Sequence, residues 1–544
     1  MVGFGIVHDC YPRRASFIFA ACLDRLHLDD MVPYTHDQHD LAVRELADEV
    51  SRLYAGQVAF RINHGSTNST RRRDPATPQL HIAHLKSILA IDTEQQLAIV
   101  EPNVPLDFLV SKTLQYGLMP PVVMEFPGIT VGGGFSGASG ESTGWKEGLF
   151  DCSVEEVEII LGNGEIVHAK RDGDNAELFN AARCTLGTFG VVTLLTIRLT
   201  KAKDSVQLVY HQTAGIKETI QELAKLCQEP QEDIDFIEAV QYNTEKGVII
   251  TGRHVSSASA AAQHIAQQRF DRSTDPWFYM HAGARPEGYT ELVPTQSYLF
   301  RHDRGAFWSG GVFLKYYGLP NTRFVRWLLN PIMTARAIYK AMLATDSADS
   351  AIIQDLLLPL ETSEAFVEYV AAELDIWPLW ICPIMKKTGV EPVIGWPFYK
   401  TRGDENVALY SDLNQSSSTN KELFLNFGVW GPTDPSPTAF RRTNRRMEQK
   451  LKELRGMKVP YAANFYTEKE FWDLYDRQRY QDLRRKWHAE ALPNMYDKVH
   501  RKQTCPDSEV EESAERQGQT TWTDQVLGTW PFGGLYQIFT VLFR

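Results

Sequence analysis

The run Pro127-Gly128-Ile129-Thr130-Val131-Gly132-Gly133-Gly134-Phe135-Ser136-Gly137-Ala138-Ser139-Gly140-Glu141-Ser142 constrains this protein more than any other stretch. So dense a set of glycines lets the backbone come close to a bulky neighbour. Successive backbone N–H groups that point inward form an anion nest, and a pyrophosphate is its natural occupant. A tight structural turn without a ligand is the plainer reading. A doubly wound dinucleotide fold would place its fingerprint after the first strand and at the start of a helix, with an acidic residue ~20 positions later. Here the run leads to Trp145-Lys146-Glu147-Gly148-Leu149-Phe150 and then to strands, so that context fails.

The flanking sequence has an α+β pattern. Val43, Leu46, Val50 and Leu53 recur at helical spacing and predict a helix over His39 to Tyr54. A short strand is expected over Val58 to Ile62, then a polar turn from His64 to Ser69. Leu97 to Glu101 reads as a strand and Leu106 to Tyr116 as a helix that Gly117 ends. Val154 to Leu161 and Glu165 to Ala169 flank Gly162-Asn163-Gly164, a hairpin signal. A short helix over Asp174 to Ala182 and a β-branched strand over Val191 to Leu199 follow. Hairpins of this kind do not belong in a purely doubly wound sheet. From about residue 205 onward, long helical stretches alternate with aromatic strands such as Trp377 to Pro383. Ser416 to Ser418 read as a polar loop and Asp507 to Gln519 as a flexible segment.

The 544 residues call for two or three domains. A net charge of −12 argues against a nucleic-acid partner, and Arg71-Arg72-Arg73 reads as a solvated turn. Seven scattered cysteines without a CxxC pair suit buried thiols in a reducing compartment, and no zinc spacing is visible, so no metal site is expected. The apolar run Ala15 to Leu23 stops at Asp24, short of the ~20 residues that span a bilayer. Val526 to Phe543 is apolar and aromatic, and reads as a docked tail or a membrane-surface contact.

Taken in order, Arg61 with Gly65-Ser66, Pro127 to Gly133, Gly148-Leu149-Phe150, Leu161 to Gly164 and Thr185-Leu186-Gly187-Thr188-Phe189-Gly190-Val191-Val192 resemble the PCMH-type FAD-binding domain of the vanillyl-alcohol-oxidase superfamily. Within it the protein is similar to the Δ24-sterol reductase (Diminuto/Dwarf) family. Thr130-Val131-Gly132-Gly133 with Glu141-Ser142, Cys184 to Gly187, Gln354-Asp355 with Pro359, Pro378 to Pro383, Tyr461-Ala462, Glu470-Phe471-Trp472 and Tyr496-Asp497-Lys498 carry that likeness over roughly residues 40 to 500. The resemblance implies an α+β fold: an extension over 1–37, an FAD domain of two α+β subdomains over 38–203, an α+β substrate or cap domain over 204–500, and a tail over 501–544. It implies that Thr130 to Ser142 hold the pyrophosphate, with His64, Gly65, Ser66 and Gly148 nearby. It also implies that Gly187, Thr188, Gly190, Val191 and Val192 run along the flavin and adenine. Covalent-flavin relatives place a histidine between Gly and Ser; here the order is His64-Gly65-Ser66, so non-covalent FAD is expected, with a His64 link as the alternative. The family's N-terminal membrane helix is not found here. An intracellular enzyme at the endoplasmic reticulum membrane, or otherwise in the cytoplasm, is implied.

The implied reaction is reduction by NADPH of a C=C bond in the side chain of a sterol or related isoprenoid. An isolated alkene has no carbonyl to draw electrons, so a proton must arrive from an acid within reach while flavin N5 delivers hydride to the other carbon. The candidate acids are Tyr461, Tyr466, Glu141 and His302. Tyr461 comes first because the resemblance matches it to a family tyrosine and it follows Val459-Pro460 in an expected strand, against a role as a core tyrosine. Glu141 follows the glycine run and suits a ribityl or structural hydrogen bond better than acid work. His302, in Arg301-His302-Asp303-Arg304, reads as part of a solvated loop or as a hold on the NADPH phosphate. Trp308, Trp377, Trp380 and Phe398 are core residues or the walls of a flat apolar pocket. The helix bearing Phe440, Met447, Leu451 and Leu454 has Arg441, Arg442, Arg445 and Arg446 on its other faces, and reads first as an ordinary amphipathic helix, second as a membrane-surface or partner helix. A flavin oxidase or dehydrogenase acting on a secondary metabolite is the competing enzyme, and a redox-silent lipid-binding protein the competing non-enzyme.

Overall fold

The computed structural model describes residues 35–65, 77–229, 233–261, 264–316, 318–345, 351–385, 423–434 and 436–500. Ser66, Arg71–Arg73, Phe398, Ser416–Ser418 and both terminal apolar runs lie outside them.

The first half is built from local signals. The helix His36–Ala55 starts at Thr35, whose hydroxyl caps Gln38 N–H while the Gln38 side chain returns to Thr35 N–H. Its buried stripe, Val43, Leu46, Ala47 and Val50, is the one the spacing predicts. β1 (Arg61–Asn63) and β2 (Gln79–His81) pair in parallel. β3 (Ile88–Asp92) and β4 (Leu97–Val100) form a hairpin, and β5 (Leu118–Met119) follows the helix Leu106–Thr113. β6 (Val154–Ile160) and β7 (Ile166–Lys170) are the hairpin around Gly162-Asn163-Gly164. β8 (Val191–Arg198) lies between β4 and β6, giving an antiparallel sheet in the order β3-β4-β8-β6-β7. β9 (Thr200–Lys201) pairs with β5. Helices and sheets share this half, which makes the fold α+β.

The second half is organised by one nine-stranded sheet. Its strands are β10 (Ser205–Thr213), β11 (Phe236–Gln241), β12 (Gly247–Val255), β13 (Ala266–Gln267), β14 (Tyr289–Pro294), β15 (Ala351–Pro359), β16 (Leu379–Met385), β17 (Leu423–Pro432) and β18 (Met457–Lys458). They run in the order β13-β14-β10-β12-β11-β16-β17-β15-β18, antiparallel except at β13–β14. Side chains alternate between the two faces. Ile237, Ala239, Ile381, Leu425, Phe427 and Leu356 on one face share a core with the helices Ile216–Gln228, Leu360–Tyr369 and Pro437–Glu453. Val240, Trp380, Cys382, Ile384 and Leu357 on the other face join the core of the first half.

The chain then returns to its first half. Leu492 packs with Val50 and Phe60, Arg484 donates to Thr188 O at 2.7 Å, and Lys498 donates to Leu186 O. No helix among the described residues is long and apolar enough to cross a membrane.

Candidate functional site

The glycine run is more ordered than an open nest. Val131–Gly137 coil into a short helix capped by the Thr130 hydroxyl, which accepts from Gly133 N–H at 3.2 Å. Val131 N–H bonds Val104 O, Gly132 N–H bonds Pro102 O and Gly134 N–H bonds Thr130 O. These amides are spent within the protein. Two of the glycines answer to packing: a Cβ on Gly132 would sit 2.7 Å from Pro102, and one on Gly134 2.5 Å from Met124 and 2.7 Å from Phe150. The donors left over lie further along. Ala138 adopts a left-handed conformation, and the N–H groups of Ser139, Gly140 and Glu141 meet no acceptor among the described residues. Ser139 and Gly140 are half-buried, so the unspent amides stand at a rim.

Two other expected segments gather at the same rim. Leu186 N–H bonds Ser136 O, which lays residues 184–187 along the end of the glycine helix. Gly187, at φ +67°, approaches Ile62 closely, beside half-buried His64 and exposed Gly65. Thr188 is buried under Arg484. Gly190, Val191 and Val192 enter β8, where a Cβ on Gly190 would lie 2.6 Å from Ile159. Gly148, at φ +79°, turns the backbone beneath Cys152. Consecutive free amides between two close-packed turns fit the pyrophosphate of FAD.

Beyond the rim, Glu141 enters a buried ionic cluster. Arg301 donates to Glu141 Oε1 at 2.7 Å and to Glu238 Oε1 at 2.6 Å. Glu238 Oε2 takes the Trp380 indole N–H at 2.8 Å and lies 3.0 Å from His302 Nε2. Ser142 bonds the Glu141 carboxylate and lies 3.3 Å from the Tyr298 hydroxyl. Burial works against charge on Glu238, but Arg301 and His302 outweigh it and hold its carboxyl well below the ordinary range. Glu141 stays raised, because burial there outweighs what remains of Arg301. Burial pushes His302 down to about 4, so it is neutral. Glu141, Glu238 and His302 offer ligand atoms within 4.8 Å of one another, yet the Arg301 guanidinium already bonds both carboxylates. His302 is 2% exposed, its ring 4.2 Å from that of Phe307. It is therefore no part of a solvated loop, and it is too deep to grip a cofactor phosphate.

A second acid group lies further across the same sheet. On the face of β16, β17 and β15 turned toward the first half, Trp380 pairs with Gly428 and Gly428 with Asp355. Asn426, two residues along β17, donates to Asp355 Oδ1 at 3.1 Å, and the Tyr461 phenol bonds the Asp355 carboxylate. Glu125, just before the glycine run, is close enough to be raised by Asp355 and Glu141. Tyr339 stands beside both acids. Glu125, Asp355 and Tyr461 are half-buried while Met124, Phe126, Gln354 and Leu356 around them are buried, so the three keep part of their surface open inside the fold. Burial, reinforced by Asp355, pushes Glu125 up to about 8. Burial pushes Asp355 up to about 6 against the bonds from Tyr461 and Asn426. The Tyr461 phenol is pushed well above its ordinary range by burial and by Asp355.

Of the four candidate acids, Tyr461 joins Asp355 and Glu125, Tyr466 is buried in the core, and Glu141 and His302 fall together in the ionic cluster. Glu125, Asp355 and Glu238 were missed. A signal existed: each is an acid inside an apolar stretch, as in Ala351-Ile352-Ile353-Gln354-Asp355-Leu356-Leu357 and Phe236-Ile237-Glu238-Ala239-Val240. Trp308 and Trp380 are buried in the core, and Trp377 packs on the opposite face of the sheet.

An α+β fold with free amides at a glycine-rich rim and protonatable acids across from it defines a class, and comparison agrees. Residues 43–170 match the family model described as FAD binding domain, and the protein is an FAD-dependent oxidoreductase. Over most of its length it is similar to proteins named Delta(24)-sterol reductase. The one from Arabidopsis thaliana is 28% identical over 82% of this chain and 80% of its own. That from Pisum sativum is 28% identical over 76% and 74%, and that from Homo sapiens 26% identical over 76% of each.

Proposed function

We propose that this flavoenzyme reduces an isolated C=C bond in the side chain of a sterol or related isoprenoid, with NADPH as the reductant. The observation that carries the reading is the acid pair Glu125 and Asp355, gathered with Tyr461 and Tyr339 beside the rings of Phe126, Phe307 and Trp430. A trisubstituted alkene without a carbonyl is reduced only if a proton reaches its less substituted carbon as cation character grows next door. Bound FAD supplies the hydride. Ser139 and Gly140 hold its pyrophosphate through their amides, and the link to the protein is non-covalent.

Glu125 keeps its proton at neutral pH while Asp355, raised only to about 6, is already charged, so giving up the proton leaves the new charge on Glu125. Tyr461, bonded to Asp355, passes the proton between the carboxyls and the alkene. Alone it is too weak an acid to donate, because Asp355 raises its phenol. Glu141 also holds a raised carboxyl, but at 1% exposure it cannot touch a substrate. Phe126, Phe307, Tyr339 and Trp430 pack edge to face beside the acids and keep water from the growing cation. A sterol dissolves in bilayers, so the enzyme works at an intracellular membrane surface, that of the endoplasmic reticulum.

The test is anaerobic mixing with NADPH while the long-wavelength flavin absorbance is followed. Bleaching that a Δ24 sterol reverses is expected. If NADPH does not bleach the flavin but an alcohol does, the reductase reading fails and an oxidase or dehydrogenase replaces it.

A further inference from the structure

One helix of the second half presents its apolar residues to solvent. In Arg323–Leu329, Phe324 is 66% exposed, Trp327 47% and Leu328 57%. The inner face accounts for the rest of the helix: Val325 and Leu329 pack against Trp277, Leu314 and Met333. The Thr322 hydroxyl caps it by accepting from Val325 N–H, and Arg304 bonds Asn330 just past its end at 2.8 Å. The helix is thus pinned, with the outward face left over. The Phe324 and Trp327 rings stand 5.8 Å apart on that face and make one patch. The other exposed large hydrophobics among the described residues are spread along 41–166 in the first half.

The sequence that carries this patch is basic. From Gly305 to Thr345 the sequence contains Lys315, Arg323, Arg326, Arg336 and Lys340 but no Asp or Glu, in a protein whose net charge is −12. Arg323 donates to Thr274 O, and Arg326 to Asn321; neither meets a carboxylate among the described residues. On the neighbouring loop Asp271 is already bound by Arg269 at 2.7 Å, and Asp275 by Arg272 N–H. By contrast, the basic helix Pro437–Glu453 spends Arg445 on Glu470 and Arg446 on Glu373, and buries Phe440, Met447 and Leu451 in the core. An aromatic and leucine patch flanked by Arg323 and Arg326, neither paired with a carboxylate among the described residues, is what an anionic lipid surface binds: the rings enter the headgroup layer while the cations meet the phosphates.

We propose that the helix Arg323–Leu329 seats this enzyme on an anionic bilayer. The docking does not rest on the sterol reading.

The experiment is co-sedimentation of the full-length protein with sterol-free vesicles of phosphatidylcholine, with and without phosphatidylserine. Wild type is expected to bind the phosphatidylserine vesicles and to lose that binding as salt rises. Phe324→Ser with Trp327→Ser is expected to weaken binding by roughly tenfold or more while leaving flavin content and thermal midpoint unchanged, since both side chains are exposed. Arg323→Glu is expected to remove the preference for phosphatidylserine. Unchanged binding in the double variant would overturn the proposal and move the anchor elsewhere in the protein. So would a wild-type dimer that the double variant dissociates in sedimentation velocity, because the patch would then cover a second copy. Because the vesicles carry no sterol, loss of binding and loss of NADPH-driven bleaching are separate results.

Discussion

Glu125 shows how one position can govern the chemistry. Its carboxyl is raised to about 8 by burial and then by Asp355. A raised acid is protonated below its pKa, so the proton it holds is present at neutral pH and lost as pH rises through about 8. Turnover should therefore fall on the alkaline side. Glu125→Gln should lower kcat by roughly a hundredfold or more and abolish that alkaline limb in the pH–rate profile. Asp355→Asn removes a negative neighbour of Glu125, so the limb should move to lower pH while the flavin stays bound. A profile with the wild-type alkaline limb in both variants would take the proton away from this pair. Tyr461 was legible as a candidate because the family resemblance matches it to a tyrosine and it follows Val459-Pro460, but its dependence on Asp355 was not, since 106 positions separate the two in sequence.

At the scale of elements, the helix His36–Ala55 is tied down by charge as well as by its apolar stripe. His39, 1% exposed, lies 2.8 Å from Glu101 and 3.1 Å from Glu158. Burial alone would lower its pKa, but the bonds to Glu101 and Glu158 prevail and raise it from 6.5 to about 9. A histidine raised on folding contributes stability that is fully present below about 6.5 and is lost as pH rises through about 9. His39→Gln should cost about 1–3 kcal/mol at pH 6. Thermal midpoints across pH should show the gap between wild type and variant closing toward pH 9; a gap independent of pH would mean that His39 acts by packing. The apolar spacing of this helix was legible and its ionic tie was not. The same holds for the glycine run: its glycines announced close approach, yet Gly132 and Gly134 approach Pro102, Met124 and Phe150 rather than a ligand.

For the whole molecule, the joint between the two halves is the decisive feature. Ser142 O accepts from Ile237 N–H at 2.8 Å, Lys146 pairs with Asp235 at 2.7 Å, and Arg301 bonds both Glu141 and Glu238. The glycine-rich rim is thus fastened to the sheet that carries the acids. Arg301→Leu would leave two carboxylates buried without their cation, and should cost about 3–5 kcal/mol. It should also weaken FAD retention, since Glu141 directly follows the rim amides of Ser139 and Gly140. Thermal unfolding with and without added FAD reads both effects; a variant as stable as wild type that keeps its flavin would show that the cluster is not the joint.

By itself the sequence determined the α+β character, the capped helix, the hairpin at Asn163 and the place of the glycine-rich segment. Helical spacing, turn chemistry and caps are set by residues within a few positions of one another. Only the tertiary structure decided which acids meet. Glu125 and Asp355 stand more than two hundred positions apart in sequence. The strand order β11-β16-β17-β15 and the packing of the first half against one face bring them together. It also decided their protonation, because the dielectric around a carboxyl and the charge beside it exist only once distant strands have closed over it.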